Sequence, residues 1–182
     1  MLAHLKPFVI GLLTYTPLAR RYSIPRTGGT DDPRYCYGVF ARHLVHAHRA
    51  GMTEIPRTVA ELGPGDSIGT GLAWLLAGSE RYLAFDVRRY AAREANLAVF
   101  DALVSLFRER AAIPGPDEFP TMKPGLPSLA FPGELLSDER LEAALAPERI
   151  AALRRDVETL DGTGAVDYVV PWDGASEVRP GS

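Results

Sequence analysis

Residues 59–86 constrain the fold of this chain more than any other stretch does. Their sequence, VAELGPGDSIGTGLAWLLAGSERYLAFD, is typical of a buried strand, a glycine-rich turn, a short helix and a second strand that ends in an acid. Such a unit brings backbone N–H groups and a helix N-terminus to one point. The stretch therefore predicts a site for a nucleotide-like or anionic ligand.

The rest of the chain repeats the alternation of helix and strand. A helix is predicted after Asp32, which is suited to an N-cap, and longer helical patterns follow at about 91–110 and 147–160. A third strand is predicted at 166–170. Strands that alternate with helices indicate a parallel sheet with crossover helices. We predict an α/β protein with a doubly wound, Rossmann-like fold.

The predicted domain organisation has two parts. Residues 1–56 form an N-terminal helical extension, and residues 57–182 form a partial Rossmann-like cofactor-binding domain. The strand after Pro56 is apolar on both faces, which predicts a central position in the sheet. The pattern offers no further strand to lie beside it, so we expect a partner, or a segment outside this sequence, to cover its edge.

A proline-rich insertion at 113–133 interrupts the second part. Its proline content excludes a helix or a central strand. Its apolar side chains, Phe119 and Phe131 among them, favour a folded lid or substrate wall over a solvated linker.

Composition excludes several classes of protein. The net charge of −3 lacks the basic footprint of a nucleic-acid binder. The longest apolar run near the start, 7–13, is shorter than the roughly 18 residues that a membrane helix needs. The single cysteine, Cys36, cannot form an internal disulfide, which predicts the cytoplasm. His43, His46 and His48 do not share one helix face, so no metal site is predicted.

The glycine turn itself indicates cofactor binding. Gly63 and Gly65 let the backbone approach a ligand closely. Asp86 follows Gly63 by 23 residues and ends the second strand, where an acid accepts hydrogen bonds from ribose hydroxyls. A dinucleotide fingerprint requires a glycine or alanine where this chain has Ile68, so that class of cofactor is excluded.

Residues 59–65, VAELGPG, resemble the first motif of class I S-adenosylmethionine-dependent methyltransferases, and the likeness extends to Asp86 and Asp173. The chain is similar to a bacterial subgroup marked by ELGPGDSxGxGL, a proline-rich insertion and a PWD segment after the third strand. The resemblance implies S-adenosyl-L-methionine as the cofactor and an unidentified small molecule as the methyl acceptor. It also implies a further strand beside the first one, so the chain is expected to hold mainly the cofactor half of such a domain.

The resemblance assigns roles to individual residues. Glu61 would hold the amino end of the methionine portion, and the turn at Gly63 and Gly65 would approach the methionine and ribose. Asp86 would accept from the ribose hydroxyls, and Asp173 would lie near the adenine edge. The resemblance identifies no catalytic base.

Ser67 is a departure from the family pattern. It stands where many members have a third glycine of the cofactor loop, and it is counted here among the cofactor-binding residues.

The sequence also fits two alternative functions. Residues 65–69 match the G-x-S-x-G pattern of esterases with Ser67 as nucleophile, although the last histidine, His48, precedes it. A non-catalytic nucleotide-fold fragment would use Asp86 and Asp173 only as caps or turn residues. Glu61 favours a functional site, because an acid inside an apolar strand needs a partner.

Overall fold

The computed structural model describes residues 29–172. The apolar run at 7–13 and the predicted adenine-side residue Asp173 lie outside this range. Residues 29–172 form a mixed α/β structure with a three-stranded parallel sheet and five helices. In chain order the elements are α1 (Pro33–Arg49), β1 (Thr58–Leu62), α2 (Gly69–Leu76), β2 (Arg81–Phe85), α3 (Arg93–Arg108), α4 (Asp138–Ala144), α5 (Pro147–Thr159) and β3 (Val166–Val169).

The local signals at the start of α1 act as predicted. The Asp32 carboxylate accepts hydrogen bonds from the backbone N–H groups of Arg34 and Tyr35, and a proline follows it in the first turn. The start of α2 has no side-chain cap. Ile68 occupies the N-cap position with no side-chain bond, and Ser67 lies one residue further out, where its Oγ accepts from the N–H of Gly69 at 3.1 Å.

The three strands lie in the order β1-β2-β3 and run parallel. Leu62 at the end of β1 is paired with Phe85 at the end of β2. The carboxyl ends of all three strands therefore meet at one edge of the sheet. This edge is where open parallel sheets bind ligands.

One face of the sheet carries the core of the described residues. Successive side chains of a strand alternate between faces. The sheet residues that pack in the main cluster all belong to one alternating set: Val59, Tyr82, Ala84, Val166 and Tyr168. Helix α2 packs against β1 and β2, and α5 packs against β3.

The position of β1 leaves one side of the sheet uncovered. Within residues 29–172 β1 is an edge strand, paired only with β2, and Leu62 at its end is 68% exposed. This uncovered edge agrees with the expectation that the sequence pattern offers no further strand beside β1. The predicted central position requires a strand outside the described residues and stays a prediction.

The proline-rich insertion is folded against α1. The Arg42 guanidinium is 3% exposed and donates to the carbonyl oxygens of Pro114 and Pro124 at 2.9 and 3.1 Å. The rings of Tyr35 and Phe119 make an edge-to-face contact at 5.5 Å between centroids. Backbone carbonyls that a helix or sheet would have paired are thus satisfied by a side chain.

Candidate functional site

The turn after β1 requires its two glycines. Gly63 has a φ of +69° and Gly65 a φ of +86°, which side-chain-bearing residues rarely adopt. A Cβ atom at Gly63 would meet nothing within 4 Å, so the backbone there faces open space. The Gly63 N–H donates to the carbonyl of Phe85 at 2.8 Å, which fastens the turn beside the end of β2.

Thr30 holds the other side of this turn. Its hydroxyl oxygen accepts from the Asp66 N–H at 2.7 Å, and its carbonyl oxygen accepts from the hydroxyl of Ser67. Ser67 is 1% exposed. Its hydroxyl thus shapes the turn from within the protein. Sequence reasoning missed Thr30, because no local pattern links residues more than 30 positions apart.

Cys36 packs beneath the start of α2. Its side chain is 0% exposed, and its Sγ lies 3.1 Å from the carbonyl oxygen of Thr30 and 3.9 Å from Ser67 Oγ. A Cβ atom at Gly69 would fall 2.5 Å from that sulfur, so the glycine admits the thiol. Burial raises the pKa of the Cys36 thiol to about 12. The thiol is a packing group and not a thiolate nucleophile.

Glu61 is held by donors that carry no charge. The Tyr82 hydroxyl donates to Glu61 Oε2 at 2.6 Å, and the backbone N–H of Gly71 also favours the charged carboxylate. Glu61 is half-buried, and burial raises the pKa of its carboxyl above the usual range despite these two donors. Tyr82 is fully buried, and burial together with the Glu61 charge raises the pKa of its phenol well above the ordinary value.

Gly71 explains how the tyrosine reaches the carboxylate. A Cβ atom at Gly71 would lie 2.0 Å from Cε2 and Cζ of the Tyr82 ring. Only a residue without a side chain lets the ring pass under α2. Neither residue was predicted to belong to the site. The alternation of strand residues was the available signal, because it places Glu61 and Tyr82 on one face of the sheet.

Asp86 lies at the same edge of the sheet as the turn. It is 5% exposed, its N–H donates to the carbonyl of Val169 at 3.1 Å, and its Oδ1 accepts from the N–H of Arg88 at 3.3 Å. The next residue, Val87, is 64% exposed. Glu61, Gly63, Gly65 and Asp86 therefore lie at one edge of the sheet, where β1 and β2 end, and their role in binding stays a prediction. The exposed apolar side chain of Val87 at this edge was not singled out by sequence reasoning.

Asn96 on α3 supports the same turn from below. Its Oδ1 accepts from the N–H of Ile68 at 3.1 Å, and the side chain is 0% exposed. This bond satisfies one of the free N–H groups at the start of α2. The contact crosses 28 residues, so local sequence patterns did not indicate it.

The remaining predicted site residues are Ser67 and Asp173. Ser67 donates its hydroxyl proton to a backbone carbonyl, and within residues 29–172 no histidine bonds to it, so the structure offers no activated serine. Asp173 lies outside the described residues. It follows Trp172, whose N–H donates to the carbonyl of Asp86 at 2.9 Å and whose ring lies 5.4 Å from that of Phe85.

Two structural features are absent from residues 29–172. No helix in this range has the length and apolar character needed to cross a bilayer. The same residues contain no group of three or more histidine, cysteine, aspartate or glutamate side chains arranged to hold a metal ion.

Comparison of the chain with protein-family models, with curated proteins and with solved structures returned no match.

Proposed function

We propose that this chain binds S-adenosyl-L-methionine and serves methyl transfer to a small-molecule acceptor, as the cofactor half of a doubly wound, Rossmann-like domain. One observation carries the proposal. Glu61 in β1 and Asp86 directly after β2 lie next to an open glycine turn, where two adjacent parallel strands end and the Gly63 N–H is bonded to Phe85. This edge is the ligand-binding position of open α/β sheets.

The groups at this edge complement the parts of such a cofactor. The half-buried carboxylate of Glu61 suits an ammonium group, and Asp86 suits the hydroxyls of a ribose. The exposed side chain of Val87 offers an apolar surface beside Asp86, where a nucleobase would pack. The bare backbone at Gly63 faces open space, which leaves room for a ligand beside the turn.

The cofactor, when bound, supplies a methyl group activated by its attachment to a positively charged sulfur. The residues of this chain bind and orient; none is assigned as a catalytic base. Alignment of acceptor, methyl carbon and sulfur is the main contribution that a protein makes to such a displacement. Methyl transfer to a small molecule, rather than to nucleic acid, also agrees with the net charge of −3.

Within residues 29–172 the outer edge of β1 is unpaired and Leu62 is exposed, which supports a partner or a further segment on that side of the sheet. The cytoplasm remains the proposed compartment, because the one cysteine is buried and unpaired. An esterase is not proposed, since the hydroxyl of Ser67 is engaged inside the turn.

Calorimetric titration with S-adenosylhomocysteine tests the proposal. The wild-type chain is expected to bind it, and Asp86→Ala is expected to weaken binding about tenfold or more, since a hydrogen bond to a charged group is lost. Asp167→Ala is the matched control. It removes a half-buried aspartate of β3 whose recorded ion pair, with Arg81 at 3.5 Å, lies outside the site.

The control variant is expected to keep wild-type affinity. Absence of binding by the wild-type chain contradicts the proposed function. Equal affinities of wild type and Asp86→Ala contradict the ribose contact alone. Circular dichroism of each variant establishes that a loss of binding is not a loss of fold.

A further inference from the structure

We propose that Tyr82 is a positioning residue for Glu61, whose hydroxyl fixes the carboxylate in the orientation that receives the ammonium group of the ligand. This inference rests on the proposed function and deepens it. It names a residue on the neighbouring strand, which no motif of the glycine turn includes.

The first argument is rigidity. Tyr82 is fully buried, and the backbone of Gly71 confines its ring from the side of α2. The hydroxyl at the end of this ring lies 2.6 Å from Glu61 Oε2. A carboxylate has about four acceptor positions on two oxygens, so this bond leaves others for a ligand. The tyrosine thus restrains one oxygen of a side chain that would otherwise rotate.

The second argument is charge balance. The groups that face Glu61 are the phenol of Tyr82 from β2, the N–H of Gly71 from α2 and the thiol of Cys36 from α1. Tyr168 from β3 adds its phenol beside Tyr82. All of these are neutral at physiological pH. Among the ion pairs recorded for residues 29–172, none involves Glu61.

A half-buried carboxylate whose protein partners are all neutral lacks a compensating positive charge. A cationic group on the ligand would supply it. The ammonium group of an amino acid moiety has this charge and donates hydrogen bonds at the same time. The site therefore selects a ligand that presents a cation to Glu61, and Tyr82 keeps the acceptor in place.

Tyr82 also affects how much of Glu61 is charged. Burial raises the pKa of Glu61, and the hydrogen bond from Tyr82 opposes that rise. Loss of the hydroxyl is expected to raise the pKa of Glu61 further. As pH falls, a variant without this hydroxyl should therefore lose its affinity for a cationic ligand at a higher pH than the wild-type protein does.

The test compares two ligands and two tyrosine variants. S-adenosylhomocysteine carries the amino acid moiety, and 5′-methylthioadenosine lacks it. Tyr82→Phe removes the hydroxyl on Glu61. Tyr37→Phe is the matched control, because Tyr37 is also fully buried and its hydroxyl donates to the carbonyl of Ala111 at 2.7 Å. Dissociation constants are measured by calorimetry from about pH 4 to about pH 8.

Tyr82→Phe is expected to weaken binding of S-adenosylhomocysteine about tenfold at neutral pH and to leave the affinity for 5′-methylthioadenosine unchanged. It should also move the weakening of binding at low pH to a higher pH. Tyr37→Phe also loses a core hydroxyl. It is expected to match the wild type in its affinity for S-adenosylhomocysteine, in its affinity for 5′-methylthioadenosine and in the pH dependence of binding. A general loosening of the core would instead affect both ligands and both variants.

If Tyr82→Phe binds S-adenosylhomocysteine with the affinity and pH dependence of the wild type, the inference is overturned and the proposed function stays intact. Equal losses for both ligands also overturn it, since they indicate a structural role. If Tyr82→Phe does not fold, Glu61→Gln decides: an unchanged affinity for S-adenosylhomocysteine overturns the inference. If the wild-type chain binds neither ligand, the proposed function fails first and the inference with it.

Discussion

The ring of Tyr82 and the backbone of Gly71 are in direct contact, with no room for a side chain between them. A Cβ atom at position 71 would lie 2.0 Å from Cε2 and Cζ of the ring. The contact joins α2 to the sheet and at the same time delivers the phenol to Glu61. The packing of α2 on the sheet and the position of the Tyr82 phenol at the candidate site therefore both require glycine at position 71.

Gly71→Ala is expected to lower the free energy of unfolding by about 1–3 kcal/mol, because the added methyl group overpacks a fully buried contact. The higher helix propensity of alanine offsets only part of this, about 1 kcal/mol. Urea denaturation measures the change. Gly125→Ala is the control, since a Cβ atom there meets nothing within 4 Å. Equal stability of Gly71→Ala and the control would show that the ring can move aside.

Glu61→Gln is expected to change the pH dependence of stability. Burial raises the folded-state pKa of Glu61 above the ordinary value of a glutamate, so the folded state binds the proton more tightly than the unfolded state does. The wild type therefore loses stability as pH rises from about 4.5 through the folded-state pKa, and the glutamine variant does not lose this contribution. Urea denaturation at several pH values should show that the free energy of unfolding of Glu61→Gln, relative to that of the wild type, increases as pH rises.

Glu80→Gln provides a contrast of opposite sign. Its hydrogen bond with Arg57 lowers the pKa of Glu80, so this carboxylate contributes stability that is lost as pH falls. The free energy of unfolding of Glu80→Gln, relative to that of the wild type, should therefore decrease as pH rises. A Glu61→Gln variant that also falls behind as pH rises would contradict the assigned direction.

The Cys36 thiol is expected to resist alkylation in the folded protein. The side chain is 0% exposed, so a reagent cannot reach the sulfur. Burial also raises the pKa of the thiol to about 12, so the reactive thiolate does not form at neutral pH. A colorimetric thiol assay should detect no rapid reaction in buffer and one thiol for each chain in denaturant, as the single cysteine requires. Rapid modification of the native protein would refute the buried position.

Arg42→Met is expected to loosen the proline-rich insertion. The guanidinium satisfies carbonyl oxygens of Gly38, Pro114 and Pro124, and its loss should cost about 2–3 kcal/mol of unfolding free energy. Limited proteolysis with chymotrypsin should then cut within 113–133 at a protease concentration that spares the wild type.

The control for this experiment is Arg57→Met. Arg57 is 81% exposed and pairs with Glu80 on the surface, where solvent screens the pair, so the change is expected to have little effect on stability. Cleavage at 113–133 that is as slow in Arg42→Met as in this control would show that the insertion keeps its place without the buried arginine.

Local chemistry made several elements predictable. Asp32 followed by proline marks a helix start, and the structure begins α1 there. Gly63 and Gly65 indicated a turn that other residues rarely adopt, and both have positive φ. Asp86 could be placed at the ligand edge because a parallel strand ends where it does. Each of these signals acts within a few residues, so sequence alone carries it.

The sequence by itself therefore determined the alternation of strands and helices, the glycine turn and the acids beside it. The tertiary structure decided which residues hold them: Thr30 on the turn, Tyr82 on Glu61, and Gly71 as the gap between helix and sheet. It also placed β1 at the edge of the described sheet. These contacts join residues far apart in the chain, and their free energy depends on distances that only the packed fold establishes.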